Sequence, residues 1–320
     1  MEWLENMDNN IVITVIMSVY NTESSYLEES IVSILNQTYG LFEFLIFDDA
    51  SDEITKNVLK KYSCQDERIK VIENNLNRGL TYNLYQGVLM AQGEYICRQD
   101  ADDISYPKRF EEQLKYMRKS KDTAMLATGY YIFSDGKRKK RSFGSSNSDY
   151  IKARLFLENS HILHSSVMIR KEFLRYYNLN YNVDIKKSQD YDFWVRISRV
   201  GKIRLLRKYL CVYRQHETQI SAAKQSKKEQ RKYFYEILLK QLEEIKIKPT
   251  NKEKIAHCAL AVPEFRCDLA TVTGWVIKLL KYAPAFEFFD KRFYRIVILK
   301  RYIKYICKNI IIEIKNLTDR

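Results

Sequence analysis

The stretch that decides the fold is Ile11-Val12-Ile13-Thr14-Val15-Ile16-Met17-Ser18-Val19. An apolar, β-branched run of this kind is typical of a strand that is buried on both faces. After a polar break, apolar side chains recur at the spacing of a helix, at Leu27, Ile31, Ile34 and Leu35. The chain is therefore predicted to begin with a strand inside a sheet, followed by a helix that packs on it.

The same alternation continues along the first half of the chain. Further strands are predicted at 42–47, 69–72 and 94–97, and further helices at 54–62 and 80–91. Strands that alternate with helices indicate an α/β fold with a doubly wound, mostly parallel sheet flanked by helices. In such sheets, ligands bind beyond the carboxyl ends of the strands.

The second half of the chain has a different pattern. Between 123 and 221 it is mixed, with strands predicted at 165–169, 203–206 and 210–213 and an amphipathic helix at 190–200. Everything beyond Ala222 is predicted to be helical. The segment from 222 to 320 carries 22 Lys and Arg against 11 Asp and Glu, whereas the whole chain has a net charge of +14. Most of the positive charge therefore lies in the last third, which suggests an anionic surface as its partner.

Composition also limits the location of the protein. Six cysteines fall at irregular spacings without a Cys-x-x-Cys pair, which favours reduced thiols over disulfides or zinc. The first ten residues are polar and acidic, unlike a secretory signal, and no apolar run reaches the roughly 17–25 residues of a spanning helix. We therefore expect a cytoplasmic protein that does not cross a bilayer.

Acidic clusters follow two of the predicted strands, with Asp48 and Asp49 after the second and Asp100, Asp102 and Asp103 after the fourth. Carboxylates this close repel one another unless a cation or hydrogen-bond donors compensate them. Oxygen ligands of this kind suit Mg²⁺ or Mn²⁺, held by one or two carboxylates together with substrate phosphates. The alternative is an acidic turn that caps the helix beginning near Pro107.

These clusters stand among other short motifs. They are Val19-Tyr20-Asn21 after the first strand, Asp48-Asp49-Ala50-Ser51-Asp52 after the second, Asn77-Arg78-Gly79-Leu80 after the third, and Gly93 to Ile104 around the fourth. In order and spacing, they resemble the motifs of family 2 glycosyltransferases of the GT-A fold, over about residues 11–221. The resemblance implies a GT-A (Rossmann-like) catalytic domain at 1–221, followed by a basic helical region at 222–320.

The resemblance also implies roles for the residues near the nucleotide. Tyr20, beside Asn21, would stack on the base. Asp49 would accept the ring N–H of the base, with Asp48 as its partner, and Arg78 would reach the nucleotide or its phosphates. The donor would be a nucleotide-diphosphate sugar, with a UDP-sugar as the first expectation, and the acceptor a glycan or a lipid-linked saccharide.

A metal ion, Mn²⁺ or Mg²⁺, would join the donor to the acidic cluster. The resemblance implies that Asp100 and Asp102 bind the donor through this ion and that His216 lies near the diphosphate as a further ligand. Two positions depart from the family pattern, since Ala50 stands where Gly is common and Gln99 where an apolar residue is usual. Neither departure removes a charged group.

The stretch Ser188-Gln189-Asp190-Tyr191-Asp192 resembles the acidic motif that opens the helix under the acceptor site in this family. A sugar hydroxyl is a poor nucleophile until its proton is taken, so the reaction needs a general base. Asp190 is the candidate, and a single displacement assisted by it would invert the anomeric carbon. Asp192 is interpreted as a surface charge. His164 is the next candidate for the base, and His257 is interpreted as structural.

Residues 298–315 separate by face at helical spacing. Basic side chains occupy one sector, namely Lys300, Arg301, Lys304, Lys308 and Lys315. Apolar side chains occupy the opposite one, namely Ile298, Leu299, Tyr302, Ile303, Ile306 and Ile310. Such a helix is a candidate for lying on an anionic membrane surface, which would make the protein peripheral at the inner face of the plasma membrane. A helix that packs its apolar face on the rest of the protein is the equal alternative.

Two other functional classes share some of these features. A nucleotidyltransferase that makes sugar nucleotides would have a similar sheet and metal, but it usually needs a Gly-rich loop after the first strand, and Tyr20-Asn21-Thr22-Glu23 is not one. A nucleic-acid-binding protein would fit the net positive charge and the 24 tyrosines. It would not place carboxylates at the ends of the strands, and we expect no nucleic-acid partner.

Overall fold

The computed structural model describes residues 11–134, 137–141, 145–159, 162–216, 224–262 and 265–318, with the backbone alone at 141, 224, 225, 227 and 312–318. The N-terminal segment that was interpreted as lacking a secretory signal lies outside these residues. The described strands are β1 (Ile13–Val19), β2 (Phe42–Asp48), β3 (Ile69–Glu73), β4 (Tyr95–Arg98), β5 (Ile104–Ser105), β6 (Thr123–Ser134), β7 (Lys137–Arg141), β8 (Met168–Arg170) and β9 (Lys202–Arg214).

The described helices follow the same chain order. They are α1 (Ser24–Leu35), α2 (Glu53–Gln65), α3 (Leu80–Met90), α4 (Arg109–Lys119), α5 (Ser148–Leu155), α6 (Lys171–Tyr176), α7 (Gln189–Val200), α8 (Lys224–Glu244), α9 (Asn251–Ala261), α10 (Leu269–Lys281), α11 (Ala285–Phe288) and α12 (Lys291–Thr318).

The strands form one sheet in the order β3-β2-β1-β4-β8-β6-β9-β5, with β7 paired to β6. The first half, β3-β2-β1-β4, is parallel throughout. In the second half β8 runs antiparallel to both β4 and β6, whereas β9 is parallel to β6. The predicted α/β sheet flanked by helices is confirmed. Its fully parallel half is the part of the chain in which strands and helices alternate.

The central strand β1 is covered on both faces, as its apolar run predicts. Its side chains at Ile13, Val15 and Met17 join a core that includes Leu27 and Ile31 of α1. On the other face α3 approaches so closely that a Cβ atom at Gly87 would come within 2.6 Å of the Ile16 side chain. Because β1 is parallel to both β2 and β4, the carboxyl ends of these three strands lie at the same edge of the sheet.

Two predicted strands differ from the observed ones. The strand predicted at 165–169 begins only at Met168, because His164–Ser166 form a 3-10 turn. The two strands predicted at 203–206 and 210–213 are the single strand β9. The register of its pairing with β6 shifts between Thr128↔Leu206 and Gly129↔Tyr209. The sequence pattern is interrupted at this irregularity, which is why two strands were predicted.

Residues 1–146 and 161–228 form one compact unit, and residues 147–160 and 229–320 form another. The domain division predicted after residue 221 stays a prediction, and the short helix α5 groups with the C-terminal helices. Beyond Ala222 the described residues are helical, as predicted. None of the helices in the described residues is both long enough and apolar enough to span a membrane.

Helix α12 divides its side chains differently from the prediction. Tyr294, Ile298 and Tyr305 are buried, so one face packs within the second unit. Arg301, predicted on the basic face, is also buried, and its guanidinium donates to the carbonyls of Leu260 and Ala261 at the end of α9. The covered face of α12 therefore includes members of both predicted sectors, Ile298 and Arg301, and coincides with neither sector.

Candidate active site

The site begins where the ends of the parallel strands are joined by backbone hydrogen bonds. The Asp49 N–H donates to the Val19 carbonyl over 2.9 Å, and the Asn74 N–H donates to the Asp48 carbonyl over 2.9 Å. The Asp48 carboxylate is buried and accepts from the Ser51 N–H over 2.9 Å, which shapes the turn into α2. Asp48 thus supports the strand end rather than facing open solvent.

Asp49 organises the loop between β3 and α3. Its carboxylate accepts three hydrogen bonds: from the Asn74 side chain over 2.9 Å, from the Arg78 N–H over 2.8 Å and from the Gly79 N–H over 2.8 Å. A carboxylate has about four acceptor positions, so one remains for a ligand N–H. The predicted role in base recognition stays a prediction, and the loop that carries Arg78 is fixed by the same group.

The residues predicted to contact the nucleotide surround Asp49. Tyr20 is 47% exposed, and the exposed Arg78 lies over the Tyr82 ring at 4.4 Å from its centroid. Asn21 has φ of +46° and accepts from the Asp52 N–H over 2.8 Å, so its side chain helps to cap the start of α2. The structure therefore places an exposed tyrosine in the loop after β1 and an exposed arginine in the loop after β3.

Ala50, one of the two departures from the family pattern, has φ of +61°. This is the left-handed region, which Gly adopts freely and which costs an L-residue about 1–2 kcal/mol. The turn after β2 therefore requires the conformation for which the family uses Gly, and this chain adopts it with Ala.

The carboxylate of Asp100 is held by protein donors. Arg98 pairs with one oxygen, and the Ser165 hydroxyl lies 2.9 Å from the other. Burial alone would raise the pKa of Asp100, but the nearby charge of Arg98 and the Ser165 hydrogen bond outweigh it and hold the pKa below its ordinary value. Asp100 is therefore an ionised group at the end of β4.

Asp103 is fully buried and lies 2.6 Å from the same Ser165 hydroxyl, while its other oxygen accepts from the Arg214 N–H over 3.2 Å. Ser165 has one proton and can donate it to only one carboxylate. Burial, and then the charges of Asp100 and Asp102, raise the pKa of Asp103 well above its ordinary value. The consistent arrangement is a protonated Asp103 that donates to Ser165, which in turn donates to Asp100.

Asp102, the predicted metal ligand, faces His216. The two side chains are 2.9 Å apart, between Asp102 Oδ2 and His216 Nε2, and each is about one-fifth exposed. Within the described ranges, no three His, Cys, Asp or Glu side chains are arranged to hold a metal between them. A carboxylate and an imidazole that face each other at a partly open position nevertheless fit Mn²⁺ or Mg²⁺, whose remaining positions substrate phosphates and water usually fill.

Arg214 connects this pair to the rest of the site. Its guanidinium donates to the Asp102 carbonyl over 3.0 Å, pairs with Glu29 at 2.5 Å and lies 4.4 Å from the centre of the Tyr26 ring. Tyr26 also contacts the His216 ring at 4.9 Å between centroids. The end of β9 therefore positions both halves of the Asp102–His216 pair.

Beneath the acidic turn lies a buried polar network around Gln99 and Arg109. The Gln99 amide accepts from the Ser105 hydroxyl over 2.8 Å and donates to the Asp103 carbonyl over 2.8 Å. Arg109 donates to the carbonyls of Arg98 and Val167 over 3.1 and 2.9 Å. The departure at Gln99 is thus matched by polar partners, which hold the acidic turn against the 3-10 turn that carries Ser165.

Asp190, the candidate base, is in the first turn of α7 and is partly exposed. Burial and then the charges of Asp190 and Asp100 raise the pKa of the Tyr181 phenol. Tyr181 is hydrogen-bonded to His164, 2.8 Å from its Nε2, and burial lowers the pKa of His164 to about 3. The charges of Asp190 and Asp100 therefore both act on the tyrosine of this hydrogen-bonded pair.

Three other residues were given roles from the sequence, namely Asp192, His164 and His257. Asp192 is buried and its carboxylate accepts from Arg196 over 2.6 Å, so the prediction of a surface charge is wrong, because the carboxylate forms a buried ion pair within α7. A neutral, buried His164 is a poor base in this state. His257 is buried in the second unit and accepts from Trp275, as a structural residue does.

Four residues of the site had no predicted role, namely Arg98, Tyr181, Arg214 and Ser165. Arg98 precedes the acidic cluster directly, and its charge beside three carboxylates was the available signal. Ser165 and Arg214 lie 62 and 111 residues from Asp103, and nothing local marks them as its partners.

Comparisons with known proteins agree with this geometry. Residues 14–177 match the model of Glycosyl transferase family 2, which is just over half of the chain. The chain belongs to this family. It is 35% identical over 213 residues to the uncharacterized glycosyltransferase MJ1057 of Methanocaldococcus jannaschii, covering 65% of this chain and 72% of that one. It is 34% identical over 191 residues to the O-antigen biosynthesis glycosyltransferase WbnJ of Escherichia coli, covering 58% and 71%.

Solved structures establish the fold of this glycosyltransferase. S. aureus TarS in complex with UDP superposes with a TM-score of 0.60 at 16% identity, over 92% of this chain and 90% of that one. The mannosyltransferase PcManGT of Pyrobaculum calidifontis, in complex with GDP-Man and Mn²⁺, superposes with a TM-score of 0.57 at 15% identity, over 91% and 86%. The predicted GT-A architecture is thereby confirmed.

Proposed function

We propose that this glycosyltransferase moves a sugar from a UDP-sugar to a saccharide or lipid-linked saccharide acceptor, with inversion at the anomeric carbon, during the assembly of a surface polysaccharide such as capsule or O-antigen. The observation that carries the proposal is that the charges of Asp100 and Asp190 both act on the buried Tyr181, which is hydrogen-bonded to His164 over 2.8 Å. Group transfer needs a donor-binding acid and an acceptor-side base within one site, and both carboxylates act on the same phenol. The relative from O-antigen biosynthesis supports the class of pathway.

Donor binding is assigned to the ends of β1 to β4. Tyr20 offers an exposed ring to the base and Asp49 an acceptor position to its ring N–H, while Arg78 is an exposed cation whose N–H donates to Asp49. The complex of TarS with UDP supports a uridine nucleotide, and the complex of PcManGT with GDP-Man makes guanosine the alternative to test.

Asp102 and His216 would hold Mn²⁺ or Mg²⁺ together with the donor diphosphate, and Asp100 would support them. A bound ion would offset the negative charge that develops on the leaving diphosphate. Arg214 and Tyr26 keep the carboxylate and imidazole facing each other, and the proton on Asp103 removes one negative charge from beneath the turn. The presence of Mn²⁺ in PcManGT supports this assignment.

Asp190 would take the proton of the acceptor hydroxyl as its oxygen attacks the anomeric carbon. The bond to the diphosphate oxygen breaks on the opposite face, so one displacement inverts the centre without a covalent sugar–enzyme intermediate. The partly exposed start of α7 lets an acceptor approach Asp190. We place the reaction in the cytoplasm, since nucleotide sugars are its substrates.

Calorimetric titration tests the donor site. UDP and GDP are titrated into the protein with Mn²⁺, into the protein with EDTA, and into Asp102→Ala with Mn²⁺. Binding of UDP should weaken at least about tenfold without the ion or without the Asp102 carboxylate, because a charge-assisted ligand is lost. Asp122→Ala, which removes a half-exposed carboxylate elsewhere in the same unit, is the control and should bind as wild type does. Equal affinity under all conditions rejects the metal role, and no binding of either nucleotide to the wild-type protein rejects the donor site.

A further inference from the structure

Exposed apolar side chains are concentrated on two helices of the second unit. Sixteen large hydrophobic residues are exposed among the described residues, and six of these are on α10 and α12, namely Leu269, Ile277, Leu299, Ile303, Ile310 and Ile311. Exposed apolar residues that are scattered singly need no explanation, whereas a contiguous apolar surface usually marks an interaction site.

The exposed residues of α12 do not belong to its packed face. At 100° per residue, the buried Tyr294, Ile298 and Tyr305 share one side of the helix. Leu299, Ile303 and Ile310 fall within one narrow sector on the opposite side. The helix therefore carries two apolar faces, one of which packs within the unit while the other stays exposed.

Helix α10 extends this second face. The Thr273 and Tyr302 hydroxyls lie 2.6 Å apart, and the Arg295 guanidinium donates to the Leu280 carbonyl over 3.4 Å. These two contacts align α10 and α12 antiparallel and place Ile277 between them, opposite the turn of Leu299. Because Leu269 and Ile277 share the side of α10 that carries Thr273, the exposed residues form one apolar strip along both helices: Leu269, Ile277, Leu299, Ile303 and Ile310.

Cations accompany the strip. Helix α12 contains eight Lys and Arg and one Glu in its 28 residues. Arg292, Arg295, Lys300 and Lys304 are exposed, and Lys300 and Lys304 share the flank of the strip away from α10. The second unit as a whole has 21 Lys and Arg against 13 Asp and Glu. A protein partner could cover the apolar residues alone, but an apolar strip bordered by cations with almost no acidic residues complements an anionic lipid surface.

We propose that the apolar strip of α10 and α12 lies on an anionic membrane surface, with its isoleucines and leucines among the acyl chains and its flanking cations at the headgroups. This separates the two interpretations left open by the sequence, because one face of α12 packs and another remains for lipid. The proposal does not depend on the identity of the donor or acceptor.

Co-sedimentation of the full-length protein with vesicles tests the proposal. Vesicles of phosphatidylcholine alone are compared with vesicles containing phosphatidylglycerol, at low and at high salt. We expect binding to the anionic vesicles at low salt, at least tenfold weaker binding to neutral ones, and weakening with salt because exposed charges are screened. Failure to bind anionic vesicles at low salt overturns the proposal.

Paired variants separate the strip from general surface properties. Leu299→Gln with Ile303→Gln should lower vesicle affinity at least tenfold, whereas Leu41→Gln with Leu89→Gln, an equally exposed pair in the other unit, should not. If both pairs weaken binding equally, the strip is not the contact surface.

The charge is tested in the same way. Lys300→Gln with Lys304→Gln should weaken binding to anionic vesicles about thirtyfold, since each basic residue near the surface contributes roughly 1 kcal/mol. Lys115→Gln with Lys119→Gln removes the same charge at the same spacing from α4 and should leave binding unchanged. Circular dichroism confirms that each variant is folded. If analytical ultracentrifugation shows instead a dimer that Ile303→Gln disrupts, the strip binds a second copy of the chain and the proposal is rejected.

Discussion

Replacement of Asp103 by Asn tests whether this carboxyl carries a proton in the folded protein. In the unfolded chain Asp loses its proton near pH 4. In the folded protein, burial and the charges of Asp100 and Asp102 raise the pKa of Asp103 well above that value. Each pH unit over which only the folded state keeps the proton lowers the free energy of unfolding by about 1.4 kcal/mol.

The sign follows from which state binds more protons. A carboxyl whose pKa is higher in the folded than in the unfolded state contributes most to stability below the unfolded-state pKa. Its contribution falls as the pH rises toward the folded-state pKa. An Asn side chain takes up no proton. Its amide can donate to Ser165 Oγ and its carbonyl can accept from the Arg214 N–H, as a protonated Asp103 does. Asp103→Asn should therefore match the wild type near pH 4 and gain up to about 1.4 kcal/mol on it per pH unit above.

The assay is urea unfolding at about pH 5, 6 and 7 in EDTA, followed by tryptophan fluorescence, to which the buried Trp194 of the same unit contributes. Asp122→Asn is the control, because a hydrogen bond from Lys202 lowers the pKa of this half-exposed group, and its removal should bring no gain with rising pH. A difference between Asp103→Asn and wild type that does not grow with pH would refute the protonated carboxyl.

Four further substitutions test the site. Ala50→Gly should raise the free energy of unfolding by about 0.5–1 kcal/mol, because it relieves an alanine in the left-handed region. Gly79→Ala, at φ of +87° in open space, should lower it by about 1–3 kcal/mol. Changes of the same sign in urea unfolding would contradict the backbone argument. Asp190→Asn should keep UDP affinity within a small factor while sugar transfer falls about 10²–10⁴-fold, and near-normal transfer would place the base elsewhere. Arg109→Lys should lower the free energy of unfolding by about 2–4 kcal/mol, since an ammonium cannot replace the guanidinium in its buried network; a loss below about 1 kcal/mol would show that the network is dispensable.

The sequence alone was sufficient for the parallel half of the sheet and for the position of the site. The apolar run from Ile11 to Val19 predicts a strand buried on both faces, and this signal is contained in the strand's own sequence. In parallel strands the carboxyl ends meet at one edge, so acidic residues after β2 and β4 had to lie at a common site. The order of these local motifs was also enough to indicate the family, which the comparison confirmed.

The tertiary structure decided what each of these groups does. Whether Asp103 or Asp100 holds a proton depends first on burial and on the neighbouring charges. The groups that contact Asp103 also come from distant segments, and the hydrogen bond from the Arg214 N–H spans 111 residues, beyond any local pattern. The faces of α12 were misjudged for a related reason. Helical spacing shows which side chains share a sector, but the neighbours α5, α9 and α10 determine which sector is covered, so that Arg301 is buried while Ile303 is exposed. Periodicity is a property of one element, whereas pKa values and exposed faces depend on the elements packed against it.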